Sequence, residues 1–229
     1  MSQPVVVLAC KVFQHLIEKY LPPGQSGKVI FLDYGLHRVP NQLREAVQDQ
    51  LDDLSEPSLV ILGYGLCGNG LKGIRAGMHT LVIPRTDDCI AILLGSYQAY
   101  KEIFSQEPGT YYLTKGWLES GSNPLKEYEE LLLKYGQEKA DLVMDLQYKN
   151  YKRLIFVAHQ QSDLDAYRAQ AQEVARYCGR WGMVYEEILG SEVYIEELMT
   201  WAQQPQDPGE AFLVVPPGGE LTQDKFLRM

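Results

Sequence analysis

Four short hydrophobic runs, VVVLAC, KVIFLDYG, SLVILGYG and TLVIPR, punctuate the first half of this chain, and none of them alternates apolar with polar residues. A strand with one face in water reads with a period of two, so runs that are apolar throughout belong to strands covered on both faces. The segments between them carry helical spacing instead. Val12, Phe13, Leu16, Ile17 and Tyr20 predict a helix over 11–21, and Leu43, Val47, Leu51 and Leu54 form an apolar stripe behind Pro40, a residue favoured at helix starts. Strands alternating with helices predict an α/β fold built on a parallel sheet.

The second half repeats the theme with RLIFVAH, a helix near 163–181, MVYEEILG, a helix through VYIEELMTW, and AFLVVPPGGEL. The reading is therefore of two Rossmann-like lobes with mainly parallel sheets and a ligand crevice at the C-terminal strand ends. Residues 1–122 make the first lobe, 123–150 a helical connection broken near Tyr135 and Gly136, and 151–229 the second lobe. DDCIAILLGSYQAYKEIF reads as one helix after the fourth strand, and TYYLT as a short strand within a Gly- and aromatic-rich loop over 108–121.

The 229 residues are 45% hydrophobic and 22% charged, which suits one large domain or two smaller lobes with a sizeable core. A formal charge of -9 and a pI near 5.0 leave no basic footprint for nucleic acid. No run of about 18 apolar residues suggests a membrane span. The N-terminus, MSQPVVVLACKVF, goes straight into a strand pattern with no cationic lead, so a cytoplasmic location is expected. In that compartment four cysteines remain thiols, and none forms a CxxC pair. Any shared thiol site must be assembled by the fold.

Placement gives the strongest lead to chemistry. Cys10, His37, Cys67 and Cys89 each fall just after one of the four hydrophobic runs. Parallel strands bring such ends to one crevice, so Cys10, Cys67, Cys89 and His37 are the predicted metal ligands. Cys67 lies among glycines, where amide dipoles favour a thiolate. The competing reading for Cys10 and Cys89 is a small buried hydrophobe, and for His37 a turn-capping residue; His37 is also a candidate general acid or base. Cys178, His15 and His79 read as structural, while His159 repeats the strand-end position in the second half.

The loop GYGLCGNG matches G-x-G-x-x-G, but on the third strand and followed by Gly73 and Gly77, which spoil the long helix a dinucleotide needs. Gly65 and Gly68 are read instead as backbone contacts to a small or anionic ligand, against the plainer reading of a simple turn. Arg85 in PRTDDC is a candidate anion-binding residue, and Asp88 a candidate catalytic residue, with helix capping as the structural alternative for one of the two aspartates. Gly218 in PPGGEL is a candidate backbone contact from the second lobe. Tyr111, Tyr112 and Trp117 are read either as an aromatic wall over the site or as core.

The ordered set LAC, GLH, LGYGLCGNG, VIPRTDDCIAILLGS, PGTYYLTKGW and KNYKRLIFV resembles a family of prokaryotic domains of unknown function, and the likeness spans nearly the whole chain. Members of that family are often encoded beside corrinoid-dependent methyltransferases. The resemblance names a neighbourhood rather than an activity; joined to the Cys/His placement, it makes concrete the expectation of a metal-dependent, Cys/His-ligated protein of one-carbon or methyl metabolism, a methyl-transfer or accessory enzyme, with corrinoid methyltransferase proteins as candidate partners. Zinc is the expected metal, with an iron–sulfur cluster as the close variant. The alternative is a non-catalytic protein that binds or delivers a small molecule or a corrinoid. The chain lacks the D-x-H-x-x-G setting of a corrinoid carrier, a G-x-S-x-G elbow and a P-loop.

Overall fold

The computed structural model describes residues 3–21, 28–203 and 208–227, apart from the side chains of residues 37, 38, 202 and 203. The chain divides into two units, the first made of residues 1–97 and 192–229, the second of residues 98–191.

The first unit is a five-stranded sheet. Strands β1 (Val5–Cys10), β2 (Lys28–Leu32), β3 (Leu59–Gly63), β4 (Thr80–Pro84) and a late strand numbered β8 (Phe212–Val215) lie in the order β2-β1-β3-β4-β8. The first four run parallel, and β8 is antiparallel to β4. Val6, Val7, Leu8 and Ala9 are all buried, as are all five residues of β3, so both faces of the central strands are covered. This is the physical origin of the missing alternation. Each fully buried aliphatic side chain contributes roughly 1.5–3 kcal/mol, which makes these two strands the anchor of the unit.

Helix α1 (Gln14–Tyr20) follows β1 after a single 3-10 turn at Lys11–Phe13. Helix α2 (Pro40–Asp52) starts on its proline and buries the expected stripe, Leu43, Val47 and Leu51. Helix α3 (Cys89–Leu94) is buried at every position. It stops at Gly95, whose φ of 88° needs a residue without Cβ strain, and α4 (Tyr97–Gln106) begins afresh. The predicted single helix is thus two, because the left-handed glycine terminates the first.

The second unit is a parallel three-stranded sheet, β5 (Thr110–Thr114), β6 (Arg153–Ala158) and β7 (Val184–Leu189), in the order β5-β6-β7. It carries α5 (Lys115–Glu119), α6 (Pro124–Tyr135), α7 (Gln137–Tyr148) and α8 (Gln161–Cys178). Asn123 caps α6 through a bond from the Lys126 amide, and Gly136, with φ 78°, separates α6 from α7 as expected. Arg168 of α8 grips both Glu187 carboxylate oxygens at 3.0 Å.

Both units are α/β with mainly parallel strands, the expected fold class. Their boundaries differ from the expected lobes of 1–122 and 151–229. TYYLT is an edge strand of the second sheet, paired with β6, and AFLVVPPGGEL returns to the first sheet. Helix α9 (Val193–Gln203) belongs to the first unit and packs against α1. Hydrophobic periodicity identifies a strand but not the neighbour it pairs with, and the chain returns to its first sheet only through long-range register.

Candidate functional site

The strand order sets the location of the site. The chain moves from β1 to β2 on one side and then to β3 on the other, so the connections leaving β1 and β3 diverge at a topological switch point, where open α/β sheets bind ligands. Cys10 is the last residue of β1, and the loop Tyr64–Asn69 leaves β3 beside it. Cys89 opens α3 after β4, the next parallel strand.

The loop after β3 is held against the β4–α3 loop by backbone pairing: the Leu66 amide donates to the Thr86 carbonyl and the Cys67 amide to the Asp87 carbonyl, both at 2.9 Å. Gly65 permits this approach. A Cβ there would stand 2.6 Å from the Asp88 carbonyl carbon and oxygen. Cys67, Gly68 and Asn69 then take three successive left-handed conformations, with φ of 48°, 62° and 71°. Such a conformation costs a cysteine about 1–2 kcal/mol, and strain of this kind collects at functional sites. The turn carries the Cys67 side chain to Cys89.

Cys67 and Cys89 share a side-chain hydrogen bond, and Cys10 lies close enough to both for its charge to be felt. All three thiols are buried and reduced. Burial pushes the Cys10 thiol up to about 12, with smaller contributions from Cys67 and from Asp33, the residue that caps the 3-10 turn Tyr34–Arg38. Cys89 is raised well above its ordinary value by its hydrogen bond with Cys67, by burial, and by the charges of Cys67, Asp88 and Cys10. The surroundings therefore disfavour the thiolate at Cys10 and Cys89. Among the described residues, no three His, Cys, Asp or Glu side chains already stand in an arrangement that would hold a metal ion. Sulfur donors are of the kind a soft metal takes.

Sequence reasoning passed over Tyr64. Its ring is 2% exposed, its hydroxyl has no hydrogen-bond partner among the described residues, and it feels Cys10, Cys67 and Cys89 together. Desolvation, followed by those three thiols, raises its pKa, so the phenol stays protonated. The signal was present in the sequence, as an aromatic residue between Gly63 and Gly65 three positions before the cysteine.

The remaining candidates separate. Asp88 caps α3, accepting from the Ile90 amide at 2.8 Å, while its charge reaches Cys89. Arg85 is turned to the C-terminal segment, where its Nε donates to the Lys225 carbonyl at 2.9 Å and its guanidinium also reaches the Leu227 carbonyl. Gly68 faces Pro40, whose Cγ would lie 3.7 Å from an added Cβ. Gly218 belongs to the first unit, not the second: its amide donates to the Gly77 carbonyl beyond the end of β8, and the Leu81–Val215 register puts it at the edge opposite the thiols. His37 lies in the turn after β2, and its side chain is outside the described residues. In the second unit, Tyr111 packs edge-on against Tyr148 and Tyr151, His159 follows β6, and Cys178 is buried in α8. His79 is buried and accepts from the Ser58 amide through Nδ1.

Sheet order and thiol placement together define an α/β protein with a cysteine cluster at the switch point of a doubly wound sheet. The family model described as Protein of unknown function (DUF1638) matches residues 31–199, and the chain belongs to that family. No curated protein and no solved structure matches the chain.

Proposed function

We propose that Cys10, Cys67 and Cys89 form a thiolate centre for a soft divalent metal, zinc in the first instance, in a protein of one-carbon or methyl metabolism. The observation that carries this reading is the hydrogen-bonded Cys67–Cys89 pair with Cys10 beside it at the switch point. The Cys10 and Cys89 thiols, buried beside Cys67 and near Asp33 and Asp88, hold their protons until a cation compensates the charge. Three protein ligands leave a fourth position open, the pattern of catalytic rather than closed structural sites, and a bound zinc would supply Lewis acidity to an incoming thiol.

The chain's own residues have defined parts in this reading. Gly65 and the two backbone bonds to Thr86 and Asp87 fix where Cys67 projects. Asp88 fixes the start of α3 and with it Cys89. Methyl transfer, and corrinoid methyltransferase proteins as partners, are what the family likeness implies for the open position; iron–sulfur ligation is the variant with the same thiols.

Anaerobic purification followed by measurement of bound zinc and iron tests the proposal. The expected result is near-stoichiometric metal in the wild-type protein and its loss in Cys67→Ser and Cys89→Ser. A folded protein that takes up neither metal would leave the binding or delivery reading in its place.

A further inference from the structure

We propose that the outward face of the α6–α7 helical hairpin is the surface through which two copies of this chain pair. The inference is independent of the thiol cluster, and every residue it uses belongs to the second unit.

Helix α7 is apolar on two opposite sides. Ala140, Met144 and Tyr148 recur every four residues and are buried, and Tyr148 packs edge-on against Tyr111 of β5. Leu142 and Leu146 recur at the same spacing roughly half a turn around the helix from them, and stand 60% and 63% exposed, with Val143 exposed between them. A helix that is apolar all round is a buried helix, and here one of its two apolar sides is uncovered. Helix α6 adds Leu133, 89% exposed and turned away from the buried Pro124 and the half-buried Leu131 of its own helix. Glu127 of α6 accepts from the Tyr148 hydroxyl at 2.7 Å and from Gln147 Nε2 at 3.2 Å, which ties the two helices side by side and antiparallel. Their leucines are therefore turned to the same outward side. Exposure of this kind is concentrated here: six of the fourteen large apolar side chains exposed among the described residues fall between Leu132 and Leu146.

Area and charge both point to a second copy as the occupant. Leu133, Leu142, Val143 and Leu146 together expose roughly 400–500 Å² of apolar surface, within the range that marks docking sites on monomers. A standard interface takes about 800 Å² from each partner and a homodimer interface is about 65% apolar, so this patch with a polar rim is what one copy must bring. The rim removes the electrostatic objection. The chain carries a formal charge of -9, so two copies repel as wholes. The exposed charges from Lys126 to Lys149, however, are four lysines and four carboxylates, and they cancel. A neutral rim around an apolar centre can meet its own image across a two-fold axis without a like-charge penalty. Two antiparallel hairpins set face to face then form a four-helix arrangement with the leucines between them.

Sedimentation equilibrium of the full chain tests the pairing, with hydrogen exchange read at high and low protein concentration. The wild type should sediment at twice 26.0 kDa and dissociate on dilution, and association should slow exchange within α6 and α7. The double variant Leu142→Glu, Leu146→Glu places four carboxylates in the paired face and should raise the dissociation constant at least about 100-fold. Its helical signal and Tm at low concentration should match the wild type, because both positions are exposed. Leu227→Glu alters a leucine of the first unit that is 59% exposed, and should leave the dimer intact.

A wild type that stays monomeric at the highest concentration reached would overturn the proposal. A dimer unmoved by the two glutamates would also overturn it, by placing the contact elsewhere. Should the double variant lose its helical signal, the wild type decides alone: concentration-dependent protection in α6 and α7 supports the pairing, and its absence there refutes it. A monomer that holds a different protein on this face would overturn the second copy as occupant.

Discussion

Replacing Gly65 by alanine puts the packing of the site under the most direct test. The added methyl would meet the Asp88 carbonyl carbon and oxygen at 2.6 Å and its Cα at 2.9 Å, all of them backbone atoms that no rotamer change can move. The two loops must separate, and the bonds from the Leu66 and Cys67 amides to Thr86 and Asp87 stretch or break. Overpacking costs roughly 1–3 kcal/mol, and each of two lost hydrogen bonds about 0.5–1.5 kcal/mol, for a combined destabilisation of about 2–6 kcal/mol. For a protein of this size that corresponds to a fall in Tm of roughly 4 °C or more, read by circular dichroism. Gly68→Ala is the control. Its φ of 62° carries a left-handed penalty of about 1–2 kcal/mol, but its nearest neighbour would lie 3.7 Å away. Gly65→Ala should therefore be the more damaging of the two, and metal uptake should fall with it as Cys67 leaves Cys89. A Gly65→Ala protein that melts within about 2 °C of wild type would refute the claim that close loop contact builds the cluster.

Three further outcomes follow from the same geometry. Asp88→Ala removes the cap of α3 and should destabilise by about 1 kcal/mol, whereas Asp88→Asn, which keeps an acceptor for the Ile90 amide, should recover most of the loss in urea denaturation. The Cys10 thiol, raised from 9.0 to about 12 in the folded chain, keeps its full stabilising contribution below pH 9 and loses it as pH climbs toward 12, so metal-free protein should weaken through that alkaline window and Cys10→Ala should flatten the fall. Zinc binding at neutral pH should release protons, because the Cys10 and Cys89 thiols start out protonated; calorimetry in buffers of different ionisation enthalpy would count them, and a buffer-independent heat would contradict the protonated starting state of those two thiols.

The placement of the three thiols was legible because thiol position follows strand position. Cys10, Cys67 and Cys89 each stand just past an apolar run, and parallel strands carry such residues to one edge whatever the loops do. Arg85 and Gly218 were harder to read. An arginine beside two aspartates suits an anion equally well on paper, yet this one is turned to the carbonyls of Lys225 and Leu227, more than a hundred residues along the chain. Gly218 follows a strand, but that strand runs antiparallel to the others, so its end lies at the opposite edge.

The sequence by itself determined the elements: which runs are strands, where Pro40, Asn123 and Gly136 start or stop helices, and which cysteines sit at strand ends. These are local matters of periodicity, backbone freedom and capping. Tertiary structure alone decided that β8 joins the first sheet beside β4, that the chain divides near residues 97 and 191, and that the Tyr64 hydroxyl is buried with no hydrogen-bond partner among the described residues. Register and packing join residues far apart in the chain, and the free energy that selects those partners is spread over contacts that no local window contains.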